Sequence, residues 1–327
     1  HVNGSVWEIE PQVHLGKADG VAVDSKPDFI LRLIKEPEGV KPSISRKDVA
    51  IFTDGFTYHW DKTDDDTLKR NAIMRSDQYR VWSLSYDDVE DVFKKRNDYA
   101  VETLDPRKLT AKVLYDTYLG GLKNRPDPVH GLRAFEILMR YLAEPEAERD
   151  FKNLARAYSD GLVTVKPHTL YEYDPWHTLW DEVRQATDWI DGQWDFDDTY
   201  FGQMTPDADK KLTILSGVPK SELSSGIRDL SVPVAAVLHD ENRSHSSDFR
   251  MVWNGFWHYV NVMQFSPQFI GVSKLGMEAG KYFNLAPVKA SVALISGQPS
   301  YDERWNDYMT NIFASPEEVD FGKMVMH

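Results

Sequence analysis

Residues 49–70 read VAIFTDGFTYHWDKTDDDTLKR. The apolar run from Val49 to Phe52 suits a strand buried on both faces, in the middle of a sheet. Thr53, Asp54 and Gly55 end it, which leaves a carboxylate at the strand terminus, and His59 lies just beyond the glycine. Upstream, Pro27 resists helix and Asp28 opens a second strand, FILRLI, rich in β-branched and aromatic residues. Two strand-end carboxylates and an imidazole, if brought together, can hold a divalent cation and move a proton. Asp28, Asp54 and the carbonyl of Thr53 form the candidate ligand set for Mg²⁺ or Mn²⁺, since Mg²⁺ takes oxygen donors and retains several waters. His59 is the candidate proton carrier; a hydrogen-bonded histidine among Tyr58 and Trp60 is its plainer reading.

On the C-terminal side, Asp64, Asp65 and Asp66 precede TLKRNAIMRS, an expected helix. The three acids suit capping and the positive helix N-terminus; a metal cluster is the rival reading. Lys69 lies on this helix and offers a cation for a phosphate, with plain surface exposure as the alternative. YRVWSLS, residues 79–85, reads as a strand, and Ser85 with Asp88 resembles a capping box for the next helix. On the N-terminal side, SVWEIEPQV at 5–13 alternates as a strand does, and residues 35–48 form an exposed connection. The order strand, strand, strand, helix, strand, helix implies a mixed α/β sheet.

Beyond residue 100 the pattern is helical. Asp105-Pro106 supplies a cap and first-turn proline before a helix closed by Gly120-Gly121, and residues 132–142 and 151–159 carry helical apolar spacing. Asp174-Pro175 repeats the cap signal ahead of Trp176, Leu179, Trp180, Val183 and Ala186 on one face. Strands are expected at LTILSG (212–217), VPVAAVLHD (232–240) and SVALISG (291–297). They flank an aromatic segment at 247–265 that suits a buried core helix, with base stacking as the alternative. No internal repeat is visible in the sequence. The expected limits are 1–100 for an α/β domain, 101–160 for a helical connector and 161–327 for an α+β region.

With 327 residues, 41% hydrophobic and 12% aromatic, the chain is long enough for more than one domain of about 150 residues and folds rather than staying disordered. The absence of cysteine excludes disulfides, thiolate metal sites and a cysteine nucleophile. A net charge of −14 argues against broad nonspecific affinity for nucleic acid, which depends on Lys and Arg. No apolar run reaches about 18 residues, so no membrane association and a cytoplasmic setting are expected.

The residues PDF at 27–29, IFTDGFTYH at 51–59 and YRVWSLSYDDV at 79–89 resemble the PD-(D/E)XK nuclease superfamily, in the branch around very-short-patch-repair endonucleases. The resemblance covers roughly residues 5–95. It implies a restriction-endonuclease-like mixed sheet flanked by helices. It further implies Asp28 as the metal-binding aspartate, Thr53 as a carbonyl ligand, and Asp54 and His59 at the places of two active-site histidines. The glutamate and lysine of the wider superfamily's motif fall on Phe52 and Asp54, and Lys69 is the candidate replacement. Similar modules end large bacterial DEAD/DEAH-box helicases, some in antiphage defence. The WNGF and NVMQF stretches at 253–256 and 261–265 are similar to the segment C-terminal to the module in those helicases. The activity so implied is Mg²⁺-dependent DNA endonuclease, partnered with DNA and helicase domains; an inactive nuclease fold serving DNA binding or assembly is the alternative.

Overall fold

The computed structural model describes residues 1–94, 100–163, 175–188, 199–219 and 232–285. It is an α/β protein with two mixed four-stranded sheets flanked by helices. The first sheet contains β1 (Val6–Pro11), β2 (Phe29–Lys35), β3 (Asp48–Asp54) and β4 (Tyr79–Ser85), hydrogen-bonded in that order. The first three are antiparallel neighbours, and β4 runs parallel to β3. A parallel neighbour requires a crossover, and the connection carries α1 (Phe56–His59) and α2 (Thr63–Arg75). Tyr86–Lys94 forms α3, opened by the expected box: the Ser85 backbone N–H donates to Asp88 Oδ2 at 2.7 Å, and the Asp88 N–H donates to Ser85 Oγ at 3.2 Å.

Three helices come next, α4 (Lys112–Gly121), α5 (Ala134–Ala143) and α6 (Ala147–Leu162), then α7 (Pro175–Ala186). The Asp105-Pro106 cap opens a single 3₁₀ turn rather than α4 itself, with Asp105 accepting from the Arg107 N–H at 2.9 Å. Asp174 and the strand expected at 291–297 lie outside the described residues.

The second sheet contains β5 (Thr199–Met204), β6 (Leu212–Pro219), β7 (Val234–Leu238) and β8 (Phe269–Ser273). Its pairing is antiparallel, antiparallel, parallel, and its crossover is α8 (Ser247–Met263), after which comes α9 (Lys274–Glu278). The two sheets therefore share one topology, which corrects the expectation of no internal repeat. In the parallel pairs, Asp48 faces Tyr79 and Val234 faces Phe269. Counting on from those pairs sets Asp54 against Asp240, Asn71 against Asn261, Ser76 against Ser266, Gln78 against Gln268 and Ser83 against Ser273. Ala50 against Ala236 is a further identity, and most other positions differ, so the shared topology is not visible as a sequence repeat.

The two units exchange their crossover helices, since α2 packs on β8 as well as on β4, and α8 packs on β4 as well as on β7. Both apolar clusters contain residues of both sheets, so the core is shared. The aromatic segment becomes α8, with Val252 to Met263 buried throughout, so its rings pack the interior and do not face a nucleic acid.

The strand β4 lies at the edge of its sheet, where unpaired backbone groups carry a cost when buried. Two amide side chains at the C-terminal end of α8 satisfy them. Asn261 accepts from the Ser83 N–H at 2.8 Å and donates to the Ser83 carbonyl at 2.9 Å. Gln264 accepts from the Val81 N–H at 2.6 Å and donates to the Val81 carbonyl at 2.5 Å. In return, Asn71 of α2 donates to the Gly271 carbonyl of β8 at 2.6 Å. No described helix is long and apolar enough to cross a membrane.

Replacing Asn261 by Leu leaves a buried donor and acceptor of Ser83 unpaired, so we expect a loss of about 2–4 kcal/mol in unfolding free energy by urea denaturation. Thr110→Ala, which removes one exposed hydrogen bond to the Gln203 carbonyl, is the control and should change little.

Candidate functional site

Gly55 stops β3, and the chain turns at once into α1, whose single turn brings His59 back over the strand end. The next helix, α2, begins at Thr63 and points Asp66 and Arg70 at the same place, one turn apart. The buried residues of α2 are polar up to Asn71 (Thr63, Asp66, Thr67, Arg70 and Asn71) and apolar at Ala72 and Ile73, so the polar part of the face is not revealed by an apolar stripe.

The result is a compact charged group at the C-terminal end of β3. His59 Nδ1 lies 2.8 Å from Asp66 Oδ2 and 3.6 Å from Asp54 Oδ1. Arg70 donates to Asp54 Oδ2, to Ser83 Oγ at 2.7 Å and to the Asp66 carbonyl at 3.0 Å, and its Nη1 lies 3.6 Å from Asp66 Oδ1. The guanidinium is stacked between the Phe52 ring at 4.2 Å and the Trp257 ring at 4.4 Å from the centroids. Trp257 belongs to α8, so the second unit completes the first unit's site. Asp54 and Arg70 are fully buried, Asp66 nearly so, and the His59 side chain keeps 32% of its surface exposed. With Nδ1 turned to the carboxylates, Nε2 is the ring nitrogen left for a substrate or water.

Burial pushes the Asp54 carboxyl above the usual aspartate range and outweighs the nearby Arg70. For Asp66 burial acts in the same direction, but the His59 hydrogen bond and Arg70 reverse it and hold the group below the ordinary value. His59 is raised, first by its hydrogen bond to Asp66 and then by the charge of Asp54. The group is near neutrality when His59 is protonated, with two carboxylates facing an imidazolium and a guanidinium.

Among the described residues, Asp54, His59 and Asp66 are the three side chains whose ligand atoms all fall within 4.8 Å of one another. The other sequence-derived candidates sit differently. Asp28 accepts from the Thr53 N–H at 2.7 Å and from Thr53 Oγ1 at 2.8 Å, with Gln12 Nε2 at 3.2 Å on its other oxygen. Adjacent residues of a strand face opposite sides, so Thr53 carries Asp28 on one side of β3 while Asp54 points to the other. The Asp28 carboxylate is thus taken up by Thr53 and Gln12, and the three side chains whose ligand atoms converge are Asp54, His59 and Asp66. Lys69 is half-buried on α2, where its charge acts on Asp66. Arg70 is the residue that sequence reasoning missed, and Asp66 was read there as a helix cap with metal binding as the rival; the signal was their one-turn spacing on a helix downstream of a strand-end aspartate. Asp64 and Asp65 do not join the group but meet Lys281 at 2.6 and 2.5 Å.

Because the folded His59 is raised above its unfolded value of about 6.5, its stabilisation is full below that value and is lost as pH rises through the folded one. The melting temperature of the wild-type protein should therefore exceed that of His59→Gln by more at pH 6 than at pH 9. Equal differences at the two pH values would remove the charged pairing from the account.

No known protein family matches the chain, nor does any curated protein or solved structure.

Proposed function

We propose that this chain is a metal-dependent DNA endonuclease-like module that hydrolyses phosphodiester bonds and works with helicase domains. The observation that carries this reading is the Asp54, His59 and Asp66 group at the end of β3, beside the half-exposed edge of His59. The strand order of each sheet, an antiparallel meander joined through a crossover helix to a parallel strand, agrees with the fold implied by the resemblance at residues 27–89.

The donor set suits a cation. Two carboxylates and one imidazole fit Mn²⁺ better than Mg²⁺, which prefers oxygen alone. Asp54 Oδ1, His59 Nδ1 and Asp66 would hold the ion, which when bound polarises a phosphate and acidifies a water. Arg70 grips the other oxygen of Asp54 and fixes its orientation, and the Phe52 and Trp257 rings keep water from the guanidinium. With Nδ1 on the ion, Nε2 of His59 would carry the ring hydrogen and donate it in a hydrogen bond to a phosphate oxygen. Lys69, next to Asp66, adds a positive charge for a phosphate oxygen.

A second reading is favoured by one specific contact. Arg70 already neutralises Asp54, and a cation arriving there meets a guanidinium. On that reading the fold binds DNA or assembles partners without cleaving.

Plasmid nicking in Mn²⁺ or Mg²⁺ separates the two. The cleaving reading expects nicking by the wild type, a loss of at least about 100-fold in Asp54→Asn and His59→Ala, and much less effect in Asp28→Ala, whose carboxylate only holds Thr53. Absence of nicking together with no saturable Mn²⁺ binding by calorimetry would select the non-cleaving reading.

A further inference from the structure

The opposite end of the same strands carries a feature that the site above does not use. A cleft of about 660 Å³ opens where the C-terminus of α2, the start of β4 and the end of α8 meet α6. It lies at the Tyr79 end of β4, roughly 20 Å along the strand from Ser85 and the Asp54 group. Four cations line it, Arg75, Arg80, Lys152 and Arg156, against the single carboxylate of Asp77. Each cation has an acidic partner: Asp188 for Arg75, Glu148 for Arg80 and Lys152, and Asp160 for Arg156.

The arrangement of the counter-charges is what makes the cleft a receptor and not only a salt-bridge network. Glu148, paired with Arg80 and 3.3 Å from Lys152, is fully buried behind them. Asp160, 3.7 Å from Arg156, is 2% exposed. The side chains of Lys152 and Arg156 retain 39% and 31% of their surface, so the cations face the opening while the acids stay at the back. One turn apart on α6, Lys152 and Arg156 present two charges on one face. Aromatic rings hold two of the guanidinium planes, Phe265 under Arg80 at 4.4 Å and Tyr118 under Arg156 at 5.1 Å. A stacked guanidinium loses less freedom when its fork engages an anion.

We infer that this cleft binds a phosphate-bearing ligand with at least two negative charges, on Lys152 and Arg156, with the buried Arg80–Glu148 pair behind them. Several converging cations make a multiply charged oxyanion the fitting partner, and phosphate matches both the Arg fork and the Lys point charge. Two sources share this chemistry, a free phosphate compound and the backbone of a nucleic-acid strand. The inference does not rest on the proposed nuclease reading, since it uses none of the residues at the β3 terminus.

Inorganic pyrophosphate, monitored by calorimetry, and a short fluorescein-labelled single-stranded oligodeoxynucleotide, monitored by anisotropy at low salt, are the probes. The full chain is compared with Lys152→Gln, Arg156→Gln and Asn153→Asp; the last adds a negative charge to the cleft wall and removes no ion pair. Saturable binding of either probe, weakened about tenfold or more in each variant with unchanged circular dichroism, is the expected result. Pyrophosphate binding identifies a free phosphate compound as sufficient, and oligonucleotide binding alone identifies a strand. Failure of both probes to bind, or equal affinity in the wild type and Asn153→Asp, overturns the assignment. Because His59 is partly exposed and lies outside the cleft lining, retained binding in His59→Ala alongside lost nicking distinguishes failure of one proposal from failure of the other.

Discussion

A guanidinium out of water organises this molecule. Removing a charge from solvent costs several kcal/mol unless partners replace its hydration, and the Arg70 side chain keeps only 1% of its surface. Its partners come from four places: Asp54 at the end of β3, the Asp66 carbonyl one turn earlier on α2, Ser83 on β4 and the ring of Trp257 on α8. Each of these elements is thereby fixed relative to the others. His59 is added to the same group through Asp66 and Asp54, so the half-exposed imidazole is oriented by a buried framework.

That framework bears on the chemistry in two ways. It pre-orients the carboxylates, which favours any process needing them in one geometry. It also neutralises them, and so sets a competition between the resident guanidinium and an incoming cation. The outcome turns on Asp54 Oδ1 and the Asp66 carboxylate, because Oδ2 of Asp54 is already committed to Arg70.

The strands and the long helices were legible because their apolar patterns are local. Val49 to Phe52 announced a central strand, and the aromatic spacing of 247–265 announced a core helix; both have those roles. The capping box at Ser85 and Asp88 was legible for the same reason. Three features were not. Asp64, Asp65 and Asp66 are identical letters, and only the helical phase, fixed by tertiary packing, sends Asp66 inward while Asp64 and Asp65 meet Lys281. Asp28 looked like a partner of Asp54 because both sit at strand ends, but its carboxylate is taken up by Thr53 and Gln12. The common topology of the two sheets was hidden because they share a strand order and a few polar positions, Asn71 and Asn261 among them, while most surrounding residues differ.

The exchange of crossover helices has a consequence for how the chain is made. During synthesis the first unit emerges with β4 bare along its outer side, because the amides that cover Val81 and Ser83 lie about 180 residues further on. Until α8 arrives, that flank is a template for any extended segment, including the same strand of a neighbouring nascent copy. Two halves that each supply the other's missing border form a unit of inheritance: cutting the gene between them would yield two sticky fragments, not two smaller proteins.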